Sequence, residues 1–116
     1  PNPIKPYHFY LGYRDHFEYA RKHYPDIVRR VGANAAHYAI SMYFHACTDA
    51  IETLTPYKPE VELFLDENKK YFNMNEIMRS RRIMLKLFYF SKSLFKLVCK
   101  IINKTKVQKI LNLEVK

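Results

Sequence analysis

The sequence predicts a mainly α-helical fold, a small bundle of about four to five helices with an extended aromatic lead-in at the N-terminus. Its 116 residues are the length of one ordinary domain, and an apolar fraction of 48% is enough to bury a core. Gly occurs only twice and Pro six times. A strand-rich architecture would need more of these turn-forming residues, so helices are favoured.

The N-terminal segment, residues 1–12, predicts an extended connector from a domain that precedes this chain. It contains three prolines and an alternating Tyr7, Phe9 and Leu11 pattern, and Gly12 closes it. Alternation of this kind is typical of extended backbone.

The next region, residues 13–72, predicts three helices. A short helix comes first, and a long one follows over about residues 26–54. Gly32 lies inside the long helix, where it either bends the helix or lets a neighbour approach closely. Pro59 begins a third helix of about a dozen residues.

The last region, residues 73–116, predicts a basic amphipathic pair of helices. Asn73 or Asn75 would cap a helix that runs through Phe90. On the helix after it, four lysines fall within about 120° of one another and apolar residues fill roughly the other 200°. The lysines are Lys92, Lys96, Lys100 and Lys104.

The formal charge of +9 belongs to this basic region. Residues 1–68 hold seven Lys/Arg and nine Asp/Glu, a net charge of −2, whereas residues 69–116 hold thirteen and two, a net charge of +11. Such asymmetry indicates a polyanionic partner, either nucleic acid or an anionic membrane surface.

Several classes of site are disfavoured. Cys47 and Cys99 are too few and too far apart for a zinc site or a disulfide scaffold, so a reducing compartment is the default. No glycine-rich phosphate loop and no GxSxG, HExxH or CxxC motif is present. We therefore predict no catalytic and no metal-binding residue.

Four lysines interrupt the most apolar window, residues 83–102, which disfavours a simple membrane span.

One polar pattern could carry chemistry. His37, Ser41, His45 and Asp49 recur every four residues and would line one helical face. Two imidazoles and a carboxylate could bind a metal or transfer a proton. A polar stripe that faces solvent or a neighbouring helix explains them more simply, and we favour it.

The acidic set similarly predicts a solvated helix face, with metal binding as the alternative. It comprises Glu60, Glu62, Asp66 and Glu67.

The N-terminal aromatic patch has two interpretations. Aromatic rings interleaved with basic residues can stack nucleic-acid bases, but core packing explains the same residues with fewer assumptions. The patch comprises Tyr7, His8, Phe9, Tyr10, Tyr13 and Arg14.

The basic region has three interpretations: a core helix pair with a basic outside, a nucleic-acid contact, or a helix lying on a membrane. A wide apolar face bordered by lysines suits the headgroup region of an anionic bilayer, so we place the membrane first and nucleic acid below it. A plain helical interaction domain would instead self-associate. The predicted phosphate contacts are Arg79, Arg81, Arg82, Lys86, Lys92, Lys96, Lys100 and Lys104, and the predicted acyl contacts are Phe88, Phe90, Phe95, Val98 and Ile102.

Two segments carry a family resemblance. They are "YHFYLGYRD", residues 7–15, and "SRRIMLKLFYFSKSLFKLVCKI", residues 80–101. Their order resembles the region after the catalytic domain in bacterial family 2 glycosyltransferases of capsule and exopolysaccharide assembly. That family has an aromatic strand, a Gly-Arg-Asp/Glu element, helices and a similar final stretch. Here Tyr13 stands between Gly12 and Arg14.

The resemblance implies a C-terminal accessory region that orients a transferase at the cytoplasmic, inner face of the cell membrane. Nucleotide sugar and divalent metal would then belong to the absent catalytic domain, which becomes a partner of this region. No cofactor is expected in this chain. A weak substrate-binding role falls on Tyr7, His8, Tyr10 and Arg14.

Overall fold

Five α-helices make up the part of the chain that the computed structural model describes, residues 4–48 and 53–102, and no strand occurs within those ranges. Short 3₁₀ turns lie between most of them. The helices are α1 (Lys5–His23), α2 (Val28–Thr48), α3 (Lys58–Glu67), α4 (Arg79–Phe90) and α5, described over residues 92–102. The predicted mainly α-helical small bundle is therefore confirmed.

The central helix is α2, which packs against α1, α3 and α4. Its buried face is unusually rich in small residues, and this allows neighbouring backbones to come close. Larger side chains from the surrounding helices fill the space: Phe17 of α1, Leu65 of α3 and Leu85 of α4 are fully buried. The small buried residues of α2 are Gly32, Ala33, Ala35, Ala36, Ala39 and Ala46.

The predicted extended lead-in is wrong, because α1 begins at Lys5 and runs without a break through Gly12. Pro6 lies in the first turn, where the N–H that proline lacks would have no helical partner anyway. Tyr10, Phe17 and Ala20 are buried and recur at intervals of seven and three residues. This helical spacing prevails over the alternation nearer the N-terminus, because it places a continuous stripe against the core.

The long helix predicted over residues 26–54 starts two residues later than predicted, and residues 53–54 at its predicted end form a turn. Residues 25–27 form a 3₁₀ turn, and α2 begins at Val28. Residues 49–52 lie outside the described residues, and Leu54 is buried next to another 3₁₀ turn. The predicted third helix is present as α3.

The start of α4 differs from the predicted asparagine cap. Asn73 Oδ1 accepts a hydrogen bond from the Asn75 N–H at 3.2 Å, but this bond caps a 3₁₀ turn. Ile77 and Met78 then have ψ angles of 136° and 141°, which are incompatible with a helix. As a result, α4 begins only at Arg79.

The predicted helix end at Phe90 is confirmed, and Ser91 connects α4 to α5. Ser91 has an extended backbone, with φ −163° and ψ 114°, and its N–H donates to the Leu87 carbonyl at 2.9 Å. Its Oγ accepts a hydrogen bond from the Leu94 N–H at 3.1 Å, as an N-cap side chain does. One residue therefore ends α4, changes the chain direction and starts α5.

Candidate functional site

The outer face of α4 combines positive charge with exposed hydrocarbon. Arg79, Ile83, Lys86 and Phe90 are all exposed, and their spacing of four, three and four residues places them on one side of the helix. Phe90 is 81% exposed and Ile83 is 56% exposed. Arginine and lysine thus alternate with large apolar side chains that the core does not cover.

The outer face of α5 has the same character. Leu94, Leu97 and Ile101 are exposed large apolar residues. Lys100 is exposed as well, and its direction is about 60° from that of Leu97 around the helix. An exposed apolar strip on α5 therefore borders a lysine.

An open, almost wholly apolar groove of about 280 Å³ connects these two faces. Ile83 lines it from α4, whereas Val98 and Ile102 line it from α5. The groove thus lies between the two helices, and we consider their exposed side chains together as one candidate area. We call this area the α4–α5 surface, and its exposed residues are Arg79, Ile83, Lys86, Phe90, Leu94, Leu97, Lys100 and Ile101.

Two of the lysines in the predicted α5 stripe face acidic side chains of α3, and another is exposed to solvent. Lys92 Nζ lies 2.5 Å from Asp66 Oδ2, and this hydrogen bond raises the pKa of Lys92. Lys96 Nζ lies 4.0 Å from Glu62 Oε2. The acidic face of α3 therefore faces lysines of α5 rather than solvent alone. Lys100 remains exposed, and Lys104 lies outside the described residues.

Two of the predicted acyl contacts are covered by the core, and one predicted phosphate contact faces α2. Phe88 and Phe95 are buried, and both pack against the Tyr43 ring with centroid distances of 5.3 and 5.4 Å. Arg81 faces α2, where its Nε donates to Ser41 Oγ at 2.5 Å. A helical pattern identifies the apolar arc, but only packing determines which part of it is covered.

Four exposed residues of the α4–α5 surface were missed in the predicted membrane contacts: Ile83, Leu94, Leu97 and Ile101. On α5 they point away from buried Phe95 and Cys99. The sequence contains a signal for this face, because Leu94, Leu97 and Ile101 share one side at spacings of three and four. The spacing alone does not indicate which side faces out.

The predicted substrate residues join α1 to α3 instead of forming an open site. Tyr7 stacks on Tyr57 with a centroid distance of 4.0 Å, and its hydroxyl donates to Glu60 Oε1 at 2.5 Å. Arg14 Nη1 lies 3.6 Å from Glu60 Oε2, and Tyr10 is buried. Burial and the hydrogen bond to Glu60 raise the pKa of Tyr7 to about 12.

Of the predicted substrate and base-stacking residues, His8 and Phe9 are exposed. The Tyr13 ring is not free for a base, because it stacks on Tyr38 with a centroid distance of 4.1 Å and an interplanar angle of 8°. The aromatic patch therefore contributes mainly to packing, as the simpler interpretation predicted.

The two cysteines, although far apart in sequence, are in contact. The neighbouring Cys99 thiol lowers the pKa of Cys47 to about 7, aided by the positive charges of Lys58 and Lys96. Both cysteines are free thiols. Their contact fixes α5 against the C-terminal half of α2.

The polar face of α2 is partly covered. His37, Ser41 and His45 line a common cavity, and Asp49 of the same predicted set lies outside the described residues. Within residues 4–48 and 53–102, no three His, Cys, Asp or Glu side chains are grouped so that they could hold a metal ion.

Comparisons with known proteins add no family to these observations. The chain matches no protein-family model, no curated protein and no solved structure. Among the described helices, none has the length and hydropathy needed to cross a membrane. The chain's own side chains are therefore the guide to its function, and the α4–α5 surface is the most distinctive group among them.

Proposed function

We propose that the α4–α5 surface docks this protein on an anionic membrane, so that the chain acts as a helical accessory region at the membrane surface. The resemblance described above extends the proposal to a glycosyltransferase of polysaccharide assembly, whose catalytic domain this region would orient toward a lipid-linked acceptor. The observation that carries the proposal is the exposure of large apolar side chains among arginine and lysine on two adjoining helices.

Hydrocarbon burial supplies one part of the driving force. Each large apolar side chain on the surface remains in water in the isolated protein, and its transfer to an apolar medium is worth about 25 cal/mol per Å². Phe90 and Leu97 are 81% and 53% exposed, so they have area to transfer. A helix that lies in the headgroup region buries such side chains without spanning the bilayer.

Electrostatic attraction supplies the other part. Arg79, Lys86 and Lys100 are exposed beside these apolar residues, and each would gain roughly 1 kcal/mol near an anionic membrane surface. None of the three has an ion-pair partner among the described residues. Lys92 and Lys96 contribute less, because acidic side chains of α3 already face them.

Nucleic acid fits this surface less well. Binding to phosphate backbone needs cations and polar donors, whereas Ile83, Phe90 and Leu97 would remain exposed or face charged phosphates. A bilayer satisfies both kinds of side chain at once, because its headgroups are anionic and its acyl chains are apolar. We therefore favour the membrane.

Vesicle co-sedimentation tests the proposal. We expect the protein to bind phosphatidylglycerol vesicles much more strongly than phosphatidylcholine vesicles. Changing Arg79, Lys86 and Lys100 together to Glu should weaken binding by at least about a hundredfold, since three contacts of roughly 1 kcal/mol are removed and repulsion is added. The double change Phe90→Ser and Leu97→Ser should weaken binding to the same vesicles through lost hydrocarbon burial.

Two matched controls make this result specific. Changing Lys22, Arg29 and Arg30 to Glu alters the net charge equally at exposed positions outside α4 and α5, and should leave most of the binding intact. Leu63→Ser removes an exposed apolar residue of α3 and should have little effect. Equal losses in the controls would refute the docking surface. Saturable oligonucleotide binding without vesicle binding would favour a nucleic-acid module instead.

A further inference from the structure

A second cavity, of about 410 Å³, lies where the N-terminal parts of α1 and α4 meet α2. Positively charged and polar side chains reach it from all three helices: Lys5 from α1, His37, Ser41 and His45 from α2, and Arg81 from α4. No Asp or Glu is among the described residues that line it. The charged side chains among these described lining residues are therefore Lys5 and Arg81, both positive, and none of the lining residues belongs to the exposed faces of α4 and α5.

The guanidinium of Arg81 is held in place by hydrogen bonds. Its Nε donates to Ser41 Oγ at 2.5 Å, and Ser41 Oγ in turn donates to the His37 carbonyl at 2.7 Å. Its Nη1 also reaches Ser80 Oγ at 3.3 Å. Arginine has five N–H groups, so further donors remain for a ligand. No described carboxylate forms an ion pair with Arg81.

The groups next to Arg81 are a mostly neutral imidazole and a second positive charge. Burial, together with the charge of Arg81, lowers the pKa of His37, so its imidazole is mostly neutral near pH 7. The Lys5 ammonium lies over the Phe9 ring, 5.5 Å from its centroid, at the wall of the same cavity. Two permanent positive charges and a neutral imidazole suit a doubly charged anion that also accepts hydrogen bonds.

The remaining wall is apolar. Pro6, Phe9 and Met42 line it, and the Tyr38 ring adds an amphipathic surface. A cavity of this size can hold a small organic molecule, with its anionic group at the cationic end and its body on the apolar side. Inorganic phosphate alone would leave this apolar wall unused.

We infer that the cavity binds a phosphomonoester, with Arg81 and Lys5 holding the phosphoryl group and the organic body resting on Pro6 and Phe9. The His37 imidazole adds a hydrogen-bonding partner at the phosphoryl group. Such a group can belong to a soluble metabolite or to a lipid headgroup, and both offer the same dianionic oxygens. The site does not depend on membrane docking, because Arg81 faces α2 rather than the α4–α5 surface.

Titration of the full chain by NMR with three probes tests the site: phenyl phosphate, inorganic phosphate and dihexanoyl phosphatidic acid below its micellar concentration. We expect phenyl phosphate to bind saturably, more tightly than inorganic phosphate, and to shift the amide resonances of His37 and Ser41. Binding confined to the phosphatidic acid would identify a lipid headgroup as the source of the phosphoryl group. Saturable binding of none of the probes would overturn the proposal.

Three variants distinguish the site from general charge attraction. Arg81→Met should weaken phenyl phosphate binding at least tenfold, whereas Arg82→Met, with the same charge change one residue away, should alter it less than twofold. Ser41→Ala keeps every charge but frees the guanidinium, so a several-fold loss is expected even if Arg81→Met does not fold. Equal losses for Arg81→Met and Arg82→Met would overturn the proposal. The variant with Phe90→Ser and Leu97→Ser should retain phosphate binding even where it loses vesicle binding.

Discussion

At the scale of single residues, the two glycines have opposite roles. A Cβ atom placed on Gly32 would lie 2.5 Å from the Tyr71 carbonyl oxygen and 3.3 Å from Phe17 Cε1. A Cβ atom on Gly12 would meet nothing within 4 Å. Gly32 therefore allows the backbone near Tyr71 to approach α2, which is one of the two roles predicted for it. Gly12, an expected end of an extended segment, is an ordinary exposed position within α1.

The two glycines accordingly predict opposite stability changes. Gly32→Ala should lower the free energy of unfolding by about 1–3 kcal/mol, because a backbone carbonyl cannot move away as a flexible side chain could. Gly12→Ala should raise it by about 0.5–1 kcal/mol, since alanine loses less backbone entropy in a helix. Urea unfolding followed by circular dichroism measures both. A stabilising Gly32→Ala would contradict the close approach of Tyr71.

At the scale of helices, Ser91 determines where α4 stops and α5 starts. Its backbone N–H closes the last turn of α4, and its hydroxyl caps the first turn of α5. The helix boundary at this point is predictable from sequence, because serine is a common N-cap residue. The direction in which α5 leaves is not predictable, since it follows from packing of Phe95 and Cys99 into the core.

Loss of this cap should destabilise the protein without changing its fold. Ser91→Ala should reduce the free energy of unfolding by about 1 kcal/mol, whereas Ser91→Asp should retain most of it, because aspartate also caps helices. Ser93→Ala is the matched control, as Ser93 is exposed within α5 and makes no cap. Chemical denaturation compares the three variants. Equal effects of Ser91→Ala and Ser93→Ala would refute the role of the cap.

The partners of the acidic residues on α3 cannot be inferred from the sequence of α3 alone. By itself it has the composition of a solvated face, and Glu67 is indeed exposed. Glu60, however, accepts a hydrogen bond from Tyr7 and forms an ion pair with Arg14, whereas Glu62 and Asp66 face lysines of α5. Helix periodicity places these groups on a side of the helix, but only the arrangement of three helices pairs them.

At the scale of the whole molecule, charge and exposed hydrocarbon coincide on the C-terminal helices. Part of the +11 of residues 69–116 is offset inside the fold by α3, and part remains exposed on α4 and α5. The ion pairs between α3 and α5 are solvent-exposed and contribute little stability. The remaining basic residues on α4 and α5 are exposed as well, so a binding partner explains their charge better than the stability of the fold does. A membrane, the partner that we propose, would also accommodate the apolar residues.

The proposed role as part of a glycosyltransferase predicts the size of the natural polypeptide. An antibody against this chain should detect a membrane-fraction band far heavier than 14.0 kDa in cells that express it. Washing those membranes with high salt should release part of the band, because screening weakens attraction to anionic headgroups. A soluble band near 14.0 kDa would contradict the glycosyltransferase proposal and leave the vesicle and phosphate experiments to define the function.

The sequence by itself determined the helical class, the break at Phe90 and the concentration of positive charge in the C-terminal helices. These features follow from composition, local hydrogen bonding and periodicity, which are properties of short segments. Only the tertiary structure decided that Arg81 joins His37 and Ser41 at one cavity, that Phe95 is buried while Leu97 is exposed, and that Cys47 meets Cys99. Each of these depends on which faces of different helices meet, and a pattern within one helix does not contain that information.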